Sequence, residues 1–225
     1  MGVAPLRATS CLAENSWPIL ESLVSKLSPV AGEIEIVPGL DPADADLLFA
    51  CGLLTQELIA AGAPLEIVAA PIFAGESQAV YRSVVITHSD RDLDLERGHY
   101  LSFAVNDYAS WSGWFGYLAL LRAHGHSAPP DRRRLETGSH LRSIEAVAGG
   151  AADVAAIDSS VWHHYRDRSD DLEVIAITPD WPAPPVSVGP RVDRTALAVL
   201  FAGPDIVAAS GADYDEMLTV RRSFN

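Results

Sequence analysis

Short apolar runs alternate along this chain with stretches in which apolar residues recur every three or four positions. The first pattern is that of buried strands, and the second that of helices with one face on a core. Residues 6–11, 33–37, 46–50, 65–73, 81–87, 100–105, 135–137, 152–157 and 172–178 read as strands. Residues 17–27, 55–61, 114–124, 139–148, 160–166, 193–201 and 213–221 read as helices. In the first helix Ile19, Leu20, Leu23, Val24 and Leu27 make the apolar stripe, Ser16 is the expected cap, and Pro18 sits in the first turn, where proline is tolerated. Residues 65–73 are apolar almost without a break, as in a strand covered on both faces of a parallel sheet. Gly149-Gly150 closes the helix of 139–148. The strand–helix alternation predicts an α/β fold with mainly parallel sheets.

Two breaks interrupt this rhythm. One is the turn Gly75-Glu76-Ser77-Gln78. The other is the segment 179–190, with Pro179, Pro182, Pro184, Pro185 and Pro190, which reads as a linker. A self-contained α/β block lies between them. The chain is therefore expected to leave one lobe, build a second and return: lobe 1 from 1–79 plus 180–225, lobe 2 from 80–179.

Composition narrows the function classes. Among 225 residues the net charge is −14, so the basic footprint needed for nucleic acid or an anionic membrane surface is missing. A small anionic ligand stays open, because surface charge is screened over roughly 8 Å at physiological salt and a helix start acts at shorter range. Cys11 and Cys51 sit in apolar sequence, belong to no metal-ligand spacing, and are expected as buried free thiols. No run approaches the ~20 apolar residues of a membrane span. The first ten residues carry no apolar signal region. As written the chain reads as cytoplasmic, or as periplasmic if a signal was removed or missed.

The most informative stretch is 106–113, Asn-Asp-Tyr-Ala-Ser-Trp-Ser-Gly, which lies between a strand and a helix. N–H groups in the first turn of a helix have no partner inside it and carry the positive end of its dipole. Ser110 and Ser112 add hydroxyls there, and Gly113 is read as letting a ligand approach the backbone. Read alone, the segment also fits an ordinary N-cap. Four further loops follow strands: 13–15, Cys51-Gly52, 138–140 and 158–160. In open α/β sheets ligands collect beyond the carboxyl ends of strands, so these loops are expected to converge on one cleft. His140 at a helix start is a donor to an anionic oxygen or a solvated histidine. Asp158 at a strand end is an acceptor or a cap. Tyr81 lines the cleft or simply packs.

Other features carry less. His163-His164 are adjacent and face different ways on a helix, so no metal site is expected. Residues 131–134 read as a solvated charge run. There is no GxSxG, no P-loop, no HExxH and no dinucleotide fingerprint. Ser112, His140 and Asp158 can be set out on paper as a triad, but their order persuades in no known pattern. No cofactor is implied.

These residues, in this order, resemble a known family. They are Leu12-Ala13-Glu14-Asn15, Asp46 to Gly52, Tyr81-Arg82-Ser83-Val84-Val85, and Asn106-Asp107 with Ser110-Trp111-Ser112-Gly113. Thr137-Gly138-Ser139-His140, Ala152 to Asp158 and Pro184-Pro185 complete the set. The pattern is similar to the phosphate/phosphite/phosphonate-type substrate-binding proteins of ABC transporters. The resemblance implies a two-lobed, periplasmic-binding-protein-like fold of the second type, with a ligand cleft between lobes. It implies binding of a small oxyanion without chemistry, through Asn15, Cys51, Tyr81, Asn106, Ser110, Trp111, Ser112, Gly113, Ser139, His140 and Asp158. Trp111 departs from the Thr or His common between the two serines. The first strand lacks the tyrosine common in phosphonate binders. The implied partner is an ABC transporter permease or a signalling protein, and the chain is read as a monomer. An enzyme of cofactor biosynthesis on the same fold and a cytoplasmic ligand sensor are the competing readings.

Overall fold

The first helix is held by its leucines. In the computed structural model, which describes residues 4–12, 16–93, 100–166 and 170–224, strand β1 (Leu6–Ser10) leads to helix α1 (Trp17–Ala31). Leu20, Leu23 and Leu27 are at most 1% exposed. Burying each is worth roughly 1.5–3 kcal/mol. α1 runs one turn past the expected end and includes Pro29 before stopping at Gly32, whose φ of 94° favours glycine. Ser16 does not cap it with its side chain. The Ser16 hydroxyl instead lies 3.3 Å from that of Ser10.

Strands β2 (Ile34–Ile36), β3 (Leu47–Phe49) and β4 (Glu66–Pro71) follow, with helix α2 (Gly52–Ala60) between the last two. The chain then passes through β5 (Val80–Tyr81) into a second set of elements. These are β6 (Ser83–His88), β7 (Phe103–Val105), α3 (Gly116–Ala123), β8 (Arg134–Glu136), α4 (His140–Ala148), β9 (Val154–Asp158), α5 (Ser159–Tyr165) and β10 (Leu172–Ile177). It returns through β11 (Trp181–Pro182) to β12 (Val186–Val188), β13 (Ile206–Ala208) and α6 (Asp215–Arg222). β5 and β11 pair with each other as a two-stranded ribbon.

Two compact units result. The first comprises Met1–Val80 and Pro182–Arg222. Its six strands run β13-β4-β12-β3-β1-β2. β1 is parallel to β2 and β3, whereas β12 is antiparallel to both β3 and β4. The second comprises Tyr81–Trp181 and Ser223–Asn225. Its five strands run β10-β6-β9-β7-β8, with β7 parallel to β8 and β9 and β6 antiparallel to β9 and β10.

Both sheets are therefore mixed, not mainly parallel. β12 and β13 in the first sheet, and β6 in the second, run against the direction of the strands they pair with. The proline-rich linker is corrected in the same way. Its prolines flank a buried strand, Val186–Val188, in which Val186, Ser187 and Val188 are wholly inaccessible. Proline is compatible with strand ends but not with ladder positions in the middle of a sheet, and these prolines lie at the ends. The cysteines are not both buried as expected: Cys11 is exposed and Cys51 half-buried. Both follow the last residue of a strand, Cys11 by one position after β1 and Cys51 by two after β3. Among the described residues no helix is long and apolar enough to cross a membrane.

Candidate functional site

The start of α3 is wider than an ordinary helix. Residues Trp111–Phe115 form a π-turn: the Ser110 carbonyl accepts from Phe115 N–H as well as from Trp114 N–H, each at 3.2 Å. Such i→i+5 turns are uncommon and concentrate at functional sites. Ser110 is extended, with φ −71° and ψ 129°, and its Oγ accepts from Gly113 N–H at 3.0 Å. The N–H groups of Trp111 and Ser112 lie in this first turn, where the helix itself supplies no acceptor.

Three of the expected residues come together here. Ser112 Oγ is 3.1 Å from His140 Nε2, and Asn106 Nδ2 is 3.4 Å from the same nitrogen. Ser112 is 6% exposed and His140 7%. The local fold explains the meeting. β7 ends at Val105, whose carbonyl accepts from Thr137 N–H and Thr137 Oγ1, and Thr137 Oγ1 pairs with Ser143 Oγ of α4 at 2.6 Å. This pins the first turn of α4, hence His140, beside Asn106. Gly138, with φ 82°, makes the turn that precedes it.

Gly113 has a different reason from the one read in the sequence. A methyl group there would overlap the Asn106 side-chain oxygen. The space beside its Cα is filled by Asn106, so the glycine admits a side chain of the protein itself.

Burial lowers the pKa of His140. The Asp158 charge and the nearby Ala156 carbonyl act in the opposite direction and do not overcome it. The ring is neutral at pH 7. Its Nδ1 makes no hydrogen bond of normal geometry, and Asn106 Oδ1, Trp111 Nε1, Tyr117 Oη and Trp181 Nε1 are likewise buried without a partner. Buried polar atoms are nearly always paired, which makes these five atoms of one unit exceptional.

The remaining expected residues are placed as follows. Ser110 and Ser139 are N-caps, Ser139 accepting from Arg142 N–H at 3.3 Å. Trp111 is fully buried and packs edge-on against Trp181 at 4.5 Å. Asp158 caps α5, its Oδ1 accepting from Ser160 N–H and Oγ at 2.8 and 2.7 Å. Tyr81 is 2% exposed at the end of β5. Cys51 belongs to the other unit, where its carbonyl accepts from Thr55 N–H at 2.9 Å. Asn15 lies outside the described residues.

Two supporting residues were not found from the sequence. Ser83 Oγ donates to the Ser112 carbonyl at 2.7 Å, and Ser83 N–H donates to Thr178 Oγ1 at 2.9 Å. Ser83 is 1% exposed within an apolar strand. A buried serine in such a run is the one signal that marks it.

A model of the family "ABC transporter, phosphonate, periplasmic substrate-binding protein" matches residues 27–202. The chain belongs to this family. Family members are periplasmic binding components of ABC transporters: they work with a permease, and their role is to bind a substrate. Solved structures with the same fold include a binding protein component of an ABC phosphonate transporter from Pseudomonas aeruginosa. It has a TM-score of 0.77 and 18% identity, covering 97% of this chain and 86% of that one. PhnD1 from Prochlorococcus marinus, in complex with methylphosphonate, has a TM-score of 0.77 and 17% identity, covering 98% of both chains. The alkanesulfonate-binding protein SsuA from Xanthomonas axonopodis, bound to MOPS, has a TM-score of 0.58 and 16% identity, covering all of this chain and 74% of that one. The fold is thus that of the two-lobed periplasmic binding proteins of the second type. No curated protein matches the sequence.

Proposed function

We propose that this family member binds a small phosphorus oxyanion, of the phosphate, phosphite or phosphonate kind, and delivers it as a monomer to a permease in the periplasm. It performs no chemistry on the ligand. The observation that carries this reading is the meeting of the buried Ser112, His140 and Asn106 side chains at the open first turn of a π-widened helix. Unpaired N–H groups and the helix dipole favour an anion there. Membership in the phosphonate branch of ABC binding proteins supports the ligand class. Calorimetry with methylphosphonate, phosphite and phosphate tests it. At least one should bind at micromolar concentration or below, and absence of binding by all three overturns the reading.

One observation favours an enzyme: Ser112 and His140 are spaced as a nucleophile and its base. Against it, Asp158 Oδ1 is engaged by Ser160 as a helix cap. Incubation with phosphonate and phosphate esters, followed by phosphorus NMR, should show no product. Turnover that disappears in Ser112→Ala would reverse the assignment.

A further inference from the structure

The chain passes between the two units three times. β5 and β11 lie at the first two passages, and the third follows α6. α6 belongs to the first unit. Its Met217 is 1% exposed there, and Tyr214, just before it, donates from Oη to the Ala183 carbonyl at 2.7 Å. Directly after Arg222 the chain is docked in the second unit, on α3.

Arg122, in the last turn of α3, makes that docking. Its Nη1 donates to Ser223 Oγ at 2.6 Å and its Nη2 to the Ser223 carbonyl at 2.8 Å. The same guanidinium lies over the Phe224 ring, 3.9 Å from its centre. One planar fork thus binds two groups of Ser223 and stacks on the next residue, which fixes the segment more closely than a point charge would. Phe224 also packs against Phe115, with ring centres 6.4 Å apart. Phe115 is the last residue of the π-turn and stacks in turn on Trp111.

That turn stands between two registers. The Ser110 carbonyl takes the N–H of Trp114, the ordinary helical bond, and that of Phe115, the wide one, at the same 3.2 Å. Passing from one register to the other rotates the residues before the turn relative to α3 by about one residue, roughly 100°. The direction of the Trp111 and Ser112 N–H groups therefore depends on the register, and the contact of Phe224 with Phe115 bears on it.

We infer that residues 223–224 are a strap that regulates the anion site. An anion on the first turn and the strap against Phe115 favour the same register of the π-turn, so each strengthens the other. The inference rests on the anion-site reading above and adds a control on it.

Such coupling is reciprocal, which gives two readouts. The probe is whichever of methylphosphonate, phosphite and phosphate the wild type binds most tightly. Phe224→Ala and Arg122→Gln should each weaken its binding by about 2- to 30-fold in calorimetry, although neither residue belongs to the set placed at the anion site. The second readout needs no variant: saturating probe should slow amide hydrogen exchange at Ser223 and Phe224 in the wild type. A strap that only adds stability would lower the melting temperature of the variants and show neither effect. Wild-type affinity in both variants, or exchange at 223–224 unmoved by the probe, overturns the strap while leaving the anion site intact. Failure of the wild type to bind any of the three overturns the site reading and the strap with it.

Discussion

Ser112 Oγ and His140 Nε2 lie 3.1 Å apart although 28 positions separate them in the chain. Both side chains are buried, so the pair is shielded from competing water. Its geometry is set by two helix starts, each tied to the end of β7: one through Asn106, the other through Thr137. Disturbing either start should therefore reach the same two atoms.

Ser112→Ala should weaken phosphonate or phosphate binding by about 10- to 100-fold, because one hydrogen bond to a charged ligand is worth roughly 1.5–3 kcal/mol. Calorimetry with the wild-type ligand is the check. Unchanged affinity would remove Ser112 from the site.

Gly113→Ala should destabilise the protein by about 1–3 kcal/mol, the usual consequence of overpacking a filled position. Adding Asn106→Ala should recover part of that loss, since the added methyl group would then have room. Urea denaturation of the two single variants and the double variant gives the coupling between them. Strict additivity would mean that Asn106 does not occupy the space beside Gly113.

The His140 ring should titrate below its ordinary value of 6.5, because burial disfavours the imidazolium. The unfolded chain then binds more protons than the native one in this range. Stability contributed by the neutral ring is present above pH 6.5 and is lost as the pH falls from there towards the depressed native value. His140→Gln should flatten stability against pH over that window. A ring resonance titrating at or above 6.5 would contradict the burial argument.

Asp153, just before β9, ties that strand's start to Ser102, just before its neighbour β7. Its carboxylate takes Ser102 N–H and Oγ, both at 2.7 Å, and pairs with Arg91. Burial alone would raise its pKa, but the Ser102 hydrogen bonds and Arg91 outweigh that and hold it below its ordinary value of 3.8. Its stabilisation is complete above that value and is lost as the pH falls below it. Asp153→Asn should cost about 1–3 kcal/mol at neutral pH, measured by thermal unfolding. A melting temperature within error of the wild type would show that the Ser102 contacts add nothing.

Much of the element order was legible because periodicity records burial. The helix of α1 followed from Leu20, Leu23 and Leu27, and α4 from its stop at Gly149-Gly150. β13, by contrast, was missed. It has three residues, of which Ile206 alone is buried, and three residues make no readable pattern. β12 was hidden by the prolines on either side of it. Gly113 was legible as a position needing glycine, but its partner was not, since Asn106 precedes it by seven residues across a turn that no periodicity describes.

The sequence by itself determined the α/β class, most element positions and the two hydroxyl-bearing helix starts, because helix caps and apolar spacing depend on neighbours within a few residues. Only the tertiary structure decided that the sheets are mixed, that Ser110, Ser139 and Asp158 serve as caps, and that Ser112, Asn106 and His140 share one ring nitrogen. Strand direction and the meeting of distant side chains follow from how the chain crosses and returns. The free energy that selects that path is spread over many long-range contacts, and local spacing carries no trace of it.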